Sequence, residues 1–375
     1  GMRRMIYLDH AATTRPYPEV VEAMLPFYKL YYGNASSGYE LGTDSKDAIW
    51  EARVKVAKTL RVRPETVYFT SGGTEGNNWV LRKITQRYLS HGCHVITSSI
   101  EHPAILKTCE DLQSQGVRIT RLSVDHNGII NLKDLQRSVR KNTVLISVTI
   151  EPIREIGQFA SARGILFHTD AVQAYGHVPL YPAQMKVDFL TASGHKFCGP
   201  KGTGFLYIRN PEKIQSFITG GSQEMGLRAG TENVPGIVGI GEAARISGEY
   251  LEAHGMQVAR LRDYLIARLK QEIPGIQING HPYRRLPGNV NICLPGMDGA
   301  AIAAILDMDG ICVSSASACS TGSNKPSHVL KAIGRTDREA LGALRLTLGE
   351  ENTKEELDQA VESLKRAVES LGGIQ

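Results

Sequence analysis

The chain has 375 residues, 42% hydrophobic and 22% charged, and its 43 basic against 38 acidic side chains leave a formal net charge of +5. That length suits two domains, or one large domain with a smaller lobe. The charges are scattered without a basic block or an aromatic-interleaved patch, which argues against nucleic-acid binding, and no apolar run reaches the roughly 20 residues of a membrane helix.

Gly1 ahead of Met2 reads as a remnant of tag cleavage, and Met5–Leu8 turns polar at Asp9 too soon for a secretory signal. The cysteines at 93, 109, 198, 293, 312 and 319 show no CxxC or Cys/His zinc spacing, so reduced thiols in a cytoplasmic protein and no bound metal are expected. Most sit in apolar company as small core residues; Cys319 does not.

From about residue 45 to 210, short apolar runs alternate with helical patterns. The expected strands are Thr66–Thr70, His94–Thr97, Arg118–Leu122, Val144–Val148, Ile165–Asp170, Phe189–Ala192 and Phe205–Ile208. Runs apolar on both sides and spaced by helix-length segments predict a mainly parallel sheet covered by helices, which binds ligands at the carboxyl ends of its strands. Past residue 235 the texture changes to long helices around a few strands. Thr353 and Glu356 form a capping-box pattern, and Leu357, Val361, Leu364, Val368 and Leu371 make one apolar face ended by Gly372.

The chemistry begins at Ser193-Gly194-His195-Lys196, followed by a glycine-rich turn, with Asp170 closing an apolar run upstream. An imine-forming lysine and an aspartate at a strand end are what pyridoxal phosphate (PLP) requires. Lys196 would hold the aldehyde as a Schiff base, and Asp170 would keep the pyridine nitrogen protonated. Thr70–Asn78 follows a strand and opens a helix. Its Gly72 and Gly73 let backbone amides face an anion, so beside a PLP lysine it reads as a phosphate cup; otherwise it is an ordinary turn with Thr74 as helix cap. His102 in Glu101-His102-Pro103 is either a ring-stacking group or a surface loop histidine. Asp170 with Gln173 either grips the pyridine nitrogen and phenolic oxygen, or Asp170 caps a helix starting at Ala171. His168 reads as a packed structural histidine.

Cys319 lies in a small, polar stretch, Ser314–Asn324, where a core cysteine would not sit; a mobile thiol that visits a substrate and then a partner would. Asn34, and Arg345 between leucines in a β-like run, are candidates for a substrate carboxylate, with a structural ion pair as the alternative for Arg345. Gly220–Asn233 is a further anion-friendly loop.

These phrases, running in order from Tyr7–Thr14 to Arg345, resemble the cysteine desulfurases of the NifS/IscS type within the class V aminotransferase superfamily. The resemblance implies an α/β fold of PLP-dependent transferase fold type I: a large domain with a mainly parallel sheet and helices on both faces, and a smaller α+β domain. It places the PLP-binding domain at 15–250, with 1–14 and 251–375 as the small domain carrying the Cys319 loop. It implies Lys196 as the Schiff-base lysine, with Asp170 on the pyridine nitrogen, Gln173 on the phenolic oxygen and His102 stacked on the ring. Gly73, Thr74, Ser193 and His195 would hold the phosphate, and Thr231 would reach the phosphate of the other subunit of a homodimer. Asn34 and Arg345 would bind the carboxylate of L-cysteine, and Cys319 would take its sulfur as a persulfide. The reaction would yield L-alanine and supply a sulfur-acceptor or scaffold protein for iron–sulfur or thiolated-cofactor assembly. The alternatives are another class V PLP enzyme, a selenocysteine lyase or a small-molecule aminotransferase, and a scaffold that has lost catalysis.

The chain departs from that family in two places. Ala316 stands where a glycine is usual. After Val144–Thr149 the family carries an Asn-containing loop, whereas this chain passes directly to Ile150-Glu151-Pro152. Relative to the family about eight residues are absent between Thr149 and Ile150, beside the cofactor; the expectation is that the sequence skips a segment there, and the alternative is a true deletion, which would leave Gln173 to hold the phenolic oxygen alone.

Overall fold

The computed structural model describes residues 4–149, 151–282, 285–315 and 326–372. A two-residue strand, β1 (Ile6–Tyr7), is followed by β2 (Val67–Thr70), β3 (His94–Ser98), β4 (Arg118–Leu122), β5 (Thr143–Ser147), β6 (Leu166–Asp170), β7 (Phe189–Ser193) and β8 (Gly204–Ile208). Each expected strand is present, its ends within one residue of the reading above. Strands β2 to β8 form one seven-stranded sheet in the order β2-β8-β7-β6-β5-β3-β4. The pairs from β7 through β6, β5 and β3 to β4 are parallel, while β8 runs antiparallel to both β7 and β2. Six of these strands, β2, β3, β5, β6, β7 and β8, are buried at all or nearly all positions, the signature of a sheet covered on both faces. Because β2 and β7 are both antiparallel to β8, they point the same way. Thr70, Ser98, Asp170 and Ser193 therefore share one edge of the sheet.

The chain divides into two compact units: Thr14–Ser123 with Ile130–Tyr250, and Gly1–Thr13 with Val124–Ile129 and Leu251–Gln375. The larger unit holds the seven-stranded sheet, with Trp79, Tyr68, Phe167, Phe189 and Phe205 wholly buried around it. His168 is buried in β6 between the hydroxyls of Ser147 (2.7 Å) and Thr191 (2.9 Å), the structural histidine expected.

The smaller unit has β9 (Gln277–Ile278), β10 (Asn289–Cys293), β11 (Ile311–Cys312), β12 (Ser314–Ser315) and β13 (Ala343–Thr347). Four of them make an antiparallel sheet in the order β12-β13-β10-β9, and β1 pairs in parallel with β11. The last helix, Lys354–Ser370, starts at Thr353 with both bonds of the capping box formed. Leu357, Val361, Leu364 and Val368 are buried, but Leu371 falls beyond the helix and is 44% exposed.

Several expectations are corrected. The helix Gly73–Tyr88 begins one residue before Thr74; its N-cap is Gly72, which offers no side-chain bond. No helix starts at Ala171, since residues 172–177 form a turn. Ser314 and Ser315, expected to be untethered, form β12 against Arg345 and Leu344. Residues 316–325, Cys319 among them, lie outside the described residues. So does Ile150, and with it the expected skip after Thr149. On its two sides, Thr149 bonds to Glu101 and the Glu151 carbonyl accepts from the Ile130 amide at 3.2 Å.

A buried ion pair braces the larger unit. Arg53, on the helix Glu40–Leu60, donates to both carboxylate oxygens of Glu224, at 2.9 and 2.5 Å, and to the carbonyl of Val67 at 2.6 Å. Glu224 also accepts from the backbone amide of Phe69, although its own φ is +50°. Removing one partner of such a pair leaves a buried, uncompensated charge and costs about 3–5 kcal/mol, against about 1 kcal/mol for losing a helix cap. In chemical denaturation of the cofactor-free protein, Glu224→Ala is expected to lose several times more stability than Thr353→Ala. Equal losses would contradict that assignment.

Candidate active site

Asp170 closes β6 and is 7% exposed. One carboxylate oxygen accepts from the backbone N–H of Val172 at 2.9 Å, and the other from the side-chain amide of Asn77 at 3.0 Å. Burial pushes its pKa up, while these two donors and the charges of His102 and Lys196 pull it down. Asn77 sits four residues after Gly73 on one helix, hence on the same face as the turn. Its own carbonyl oxygen is buried with no partner among the described residues.

The turn before that helix lies against the ends of β6 and β7. A Cβ on Gly73 would come 2.7 Å from Val172, and one on Gly72 would sit 3.7 Å from the Ser193 hydroxyl; Gly72 itself has φ +153°. Glycine is thus required at Gly73 by close approach and favoured at Gly72 by conformation. The first-turn amides of a helix have no partner within it, and here they are joined by the exposed Thr74. Glu75 turns inward, accepting from the Ser71 amide at 2.9 Å and from Arg228 at 2.8 and 3.0 Å. Unpaired amides, hydroxyls and a helix N-terminus fit a phosphate group.

Lys196 ends a single turn, Gly194–Lys196, directly after β7. Its backbone is held from several sides. The His177 ring nitrogen lies 2.9 Å from the Lys196 carbonyl oxygen. The Thr14 hydroxyl donates to the His195 carbonyl at 2.7 Å and accepts from the Cys198 amide at 2.7 Å. A Cβ on Gly194 would meet Pro200 and Thr203 at 2.9 Å, so the tight turn needs glycine there. Burial, with the charges of Lys196 and Lys201, lowers the His195 pKa.

His102 caps the helix Pro103–Ser114, its Nδ1 accepting from the Ala104 amide at 3.0 Å, which puts the proton on Nε2 in the neutral ring. The ring is exposed, and its charge reaches Asp170. Gln173 is half-buried in the turn after Asp170. The structure therefore gathers Gly73, Asn77, Asp170, Ser193 and Lys196 at one sheet edge, with His102 within electrostatic reach. A buried carboxylate for a ring nitrogen, a lysine amine and an anion cup fit PLP.

Other expected residues stand by themselves. Asn34 is exposed and uses its side-chain oxygen on the Ser36 amide at 2.9 Å. Thr231 is exposed in the loop that Glu224 and Arg228 pin, next to Asn233, which caps the helix Val234–Glu249. In the smaller unit, Arg345 on β13 pairs with Asp9 at 3.4 Å, and its Nε is buried with no partner among the described residues. Sequence reasoning gave no role to Asn77, Glu101, Thr14 or the Glu75–Arg228 pair. Only the face shared by Gly73 and Asn77 offered a signal.

Comparison with known proteins agrees with this geometry. The aminotransferase class-V family model matches residues 6–360. A cysteine desulfurase IscS of Methanosarcina thermophila is 45% identical over 376 residues, covering 98% of this chain and 93% of its own. One from Dictyoglomus turgidum is 44% identical, covering 100% and 97%. Among solved structures, a NifS-like protein superposes with a TM-score of 0.92 at 34% identity, over 98% of this chain and 100% of its own. A structure titled SspA in complex with cysteine gives 0.81 at 32%, over 93% and 100%. The chain belongs to the class V aminotransferase family.

Proposed function

We propose that the protein is a PLP-dependent cysteine desulfurase that converts L-cysteine to L-alanine and passes the sulfur on as a persulfide for iron–sulfur cluster or thiolated-cofactor assembly. The observation that carries this reading is the desolvated carboxylate of Asp170, held by Asn77 at the same sheet edge as the Lys196 turn. PLP, once bound, supplies an electron sink for the substrate's α-carbon. Lys196 would hold the cofactor's aldehyde and, as an amine, would take the α-proton. Gly73, Thr74, Ser193 and His195 would hold the phosphate, Gln173 the phenolic oxygen, and His102 would stack on the ring. Asn34 and Arg345 bind the substrate carboxylate, the role open to a guanidinium whose Nε is uncommitted. The Cys319 thiolate attacks the substrate sulfur: an S–S bond forms, the substrate's C–S bond breaks, and its electron pair stays on carbon. That carbon takes a proton, giving alanine and a persulfide on Cys319 that an acceptor protein then receives.

The larger unit's segments would form the cofactor domain and the smaller unit's the domain of the Cys319 loop. Exposed apolar side chains support a second subunit: Tyr28, Leu30, Tyr32 and Tyr39 are each more than 60% exposed, with Trp50 and Val54 exposed on the helix that follows. Thr231 would complete the partner's phosphate site. No helix among the described residues is long and apolar enough to cross a membrane, and the five described cysteines are free thiols, in keeping with a cytoplasmic enzyme.

Cys319→Ala is expected to keep the yellow cofactor band while sulfide release from L-cysteine with reductant falls about a hundredfold or more. Turnover at the native rate would point instead to a selenocysteine lyase or aminotransferase using no protein thiol. Sedimentation of the PLP-loaded protein should give a dimer, and charged substitutions at Tyr28 and Leu30 should weaken both the dimer and PLP retention. A monomer that holds PLP tightly would refute the shared site.

A further inference from the structure

The turn that follows Asp170 touches three parts of the candidate site. At its start the Val172 amide donates to the Asp170 carboxylate at 2.9 Å, and the Val172 side chain is what a Cβ on Gly73 would strike at 2.7 Å. At its end Nε2 of the half-buried His177 lies 2.9 Å from the carbonyl oxygen of Lys196. A carbonyl oxygen only accepts, so the imidazole donates from Nε2. Between these points the backbone is closed by its own bonds: the Tyr175 amide donates to the Ala171 carbonyl at 2.8 Å, and the His177 amide to the Ala174 carbonyl at 3.0 Å.

Packing brings the two turns together. Gly176 has φ +84°, and a Cβ there would come 2.6 Å from the Cβ of Phe197, the residue after Lys196. Conformation and close approach both require glycine at that point. The Tyr175 ring meets the Phe197 ring edge-on with centroids 4.7 Å apart, and its hydroxyl lies 2.6 Å from that of Thr59 on the helix Glu40–Leu60. Tyr175 and Phe197 are both buried. Thr14 bonds the residues on either side of the lysine, His195 and Cys198, whereas His177 bonds the Lys196 peptide itself.

We propose that His177 is a positioning residue for Lys196, and that through its bond residues 171–177 hold the lysine turn and Asp170 in one register. The consequence for catalysis rests on the PLP reading above; the restraint on the lysine turn does not. A lysine amine at the end of a four-carbon stem is aimed by the peptide that carries it. Misplacement of a reacting group by about 1 Å can cost about a hundredfold in rate.

Two variants separate the bond from the packing. H177Q keeps a donor near the position of Nε2, while H177A removes it and leaves Gly176, Tyr175 and Phe197 in place. In the cofactor-free protein, hydrogen exchange of the Phe197, Cys198 and Gly199 amides should quicken about tenfold in H177A, stay near the wild-type rate in H177Q, and leave the amides of β6 and β7 unchanged. In the protein mixed with saturating PLP, capture of the aldehyde by Lys196, followed by absorbance and borohydride trapping, should slow about tenfold in H177A and recover in H177Q. The kcat should fall with it while the KM for L-cysteine stays within about twofold. Faster exchange spread evenly over the sheet, or aldehyde capture at the native rate in H177A, would mean a purely structural contact and would overturn the proposal. If H177A fails to fold, H177N, whose shorter amide withdraws the donor from the carbonyl, is set against H177Q in the same two measurements. A wild-type protein that takes up no PLP would sink the functional reading and leave hydrogen exchange to judge His177.

Discussion

A carboxylate withheld from water at the end of a parallel strand is the constraint around which the larger unit is arranged. Asp170 is costly to ionise where it sits, and its pKa is raised accordingly. Two local donors, the Val172 amide and the Asn77 side chain, offset part of that cost without neutralising it. What is left is a site that would favour a cationic N–H donor, such as a protonated aromatic nitrogen. Asn77 reaches Asp170 only because the helix Gly73–Tyr88 starts so close to β6, and that closeness depends on Gly73, where a side chain would strike Val172. The Asp170 carboxylate and the glycine turn are thus brought together by one packing decision.

The lysine turn is held just as firmly. Thr14 stitches the N-terminal segment of the larger unit to the backbone on both sides of Lys196, while Gly194 and Gly199 allow the chain to fold back on itself. A nucleophilic amine that must leave one partner and reach another benefits from a fixed backbone beneath a long flexible stem, since the search is confined to side-chain torsions. The Thr231 loop follows a similar logic. Glu224 anchors it to β2 and Arg228 to Glu75, so an exposed threonine is carried on a rigid support.

Most of the fold was legible in the sequence because a doubly covered parallel sheet writes itself as short apolar runs, and the last helix as a capped amphipathic repeat. The glycine, lysine and aspartate phrases were legible because each lies within a few residues of a strand end. What escaped were pairings across the sheet. Asn77 and Asp170 are 93 positions apart, and Glu101 and Thr149 are 48. No local pattern says that a buried glutamate bridges two strand ends, and Glu101 reads in sequence as the polar neighbour of a histidine. The helix cap was misread by two residues, Thr74 for Gly72, because a glycine N-cap carries no side-chain signal. Ser314–Ser315 looked like loop because a strand of two serines has no apolar alternation to reveal it. The Cys319 stretch and Ile150 fall outside the described residues, and their readings rest on sequence.

The account stands or falls on whether Asp170 holds a protonated ring nitrogen. Reconstitution with pyridoxal phosphate labelled with ¹⁵N in the ring, followed by NMR of that nitrogen, reports its protonation directly. The prediction is a pyridinium-type shift that persists to high pH in the wild type and reverts to the neutral pyridine value in Asp170→Ala. A neutral pyridine nitrogen in the wild-type protein at pH 7 would contradict it.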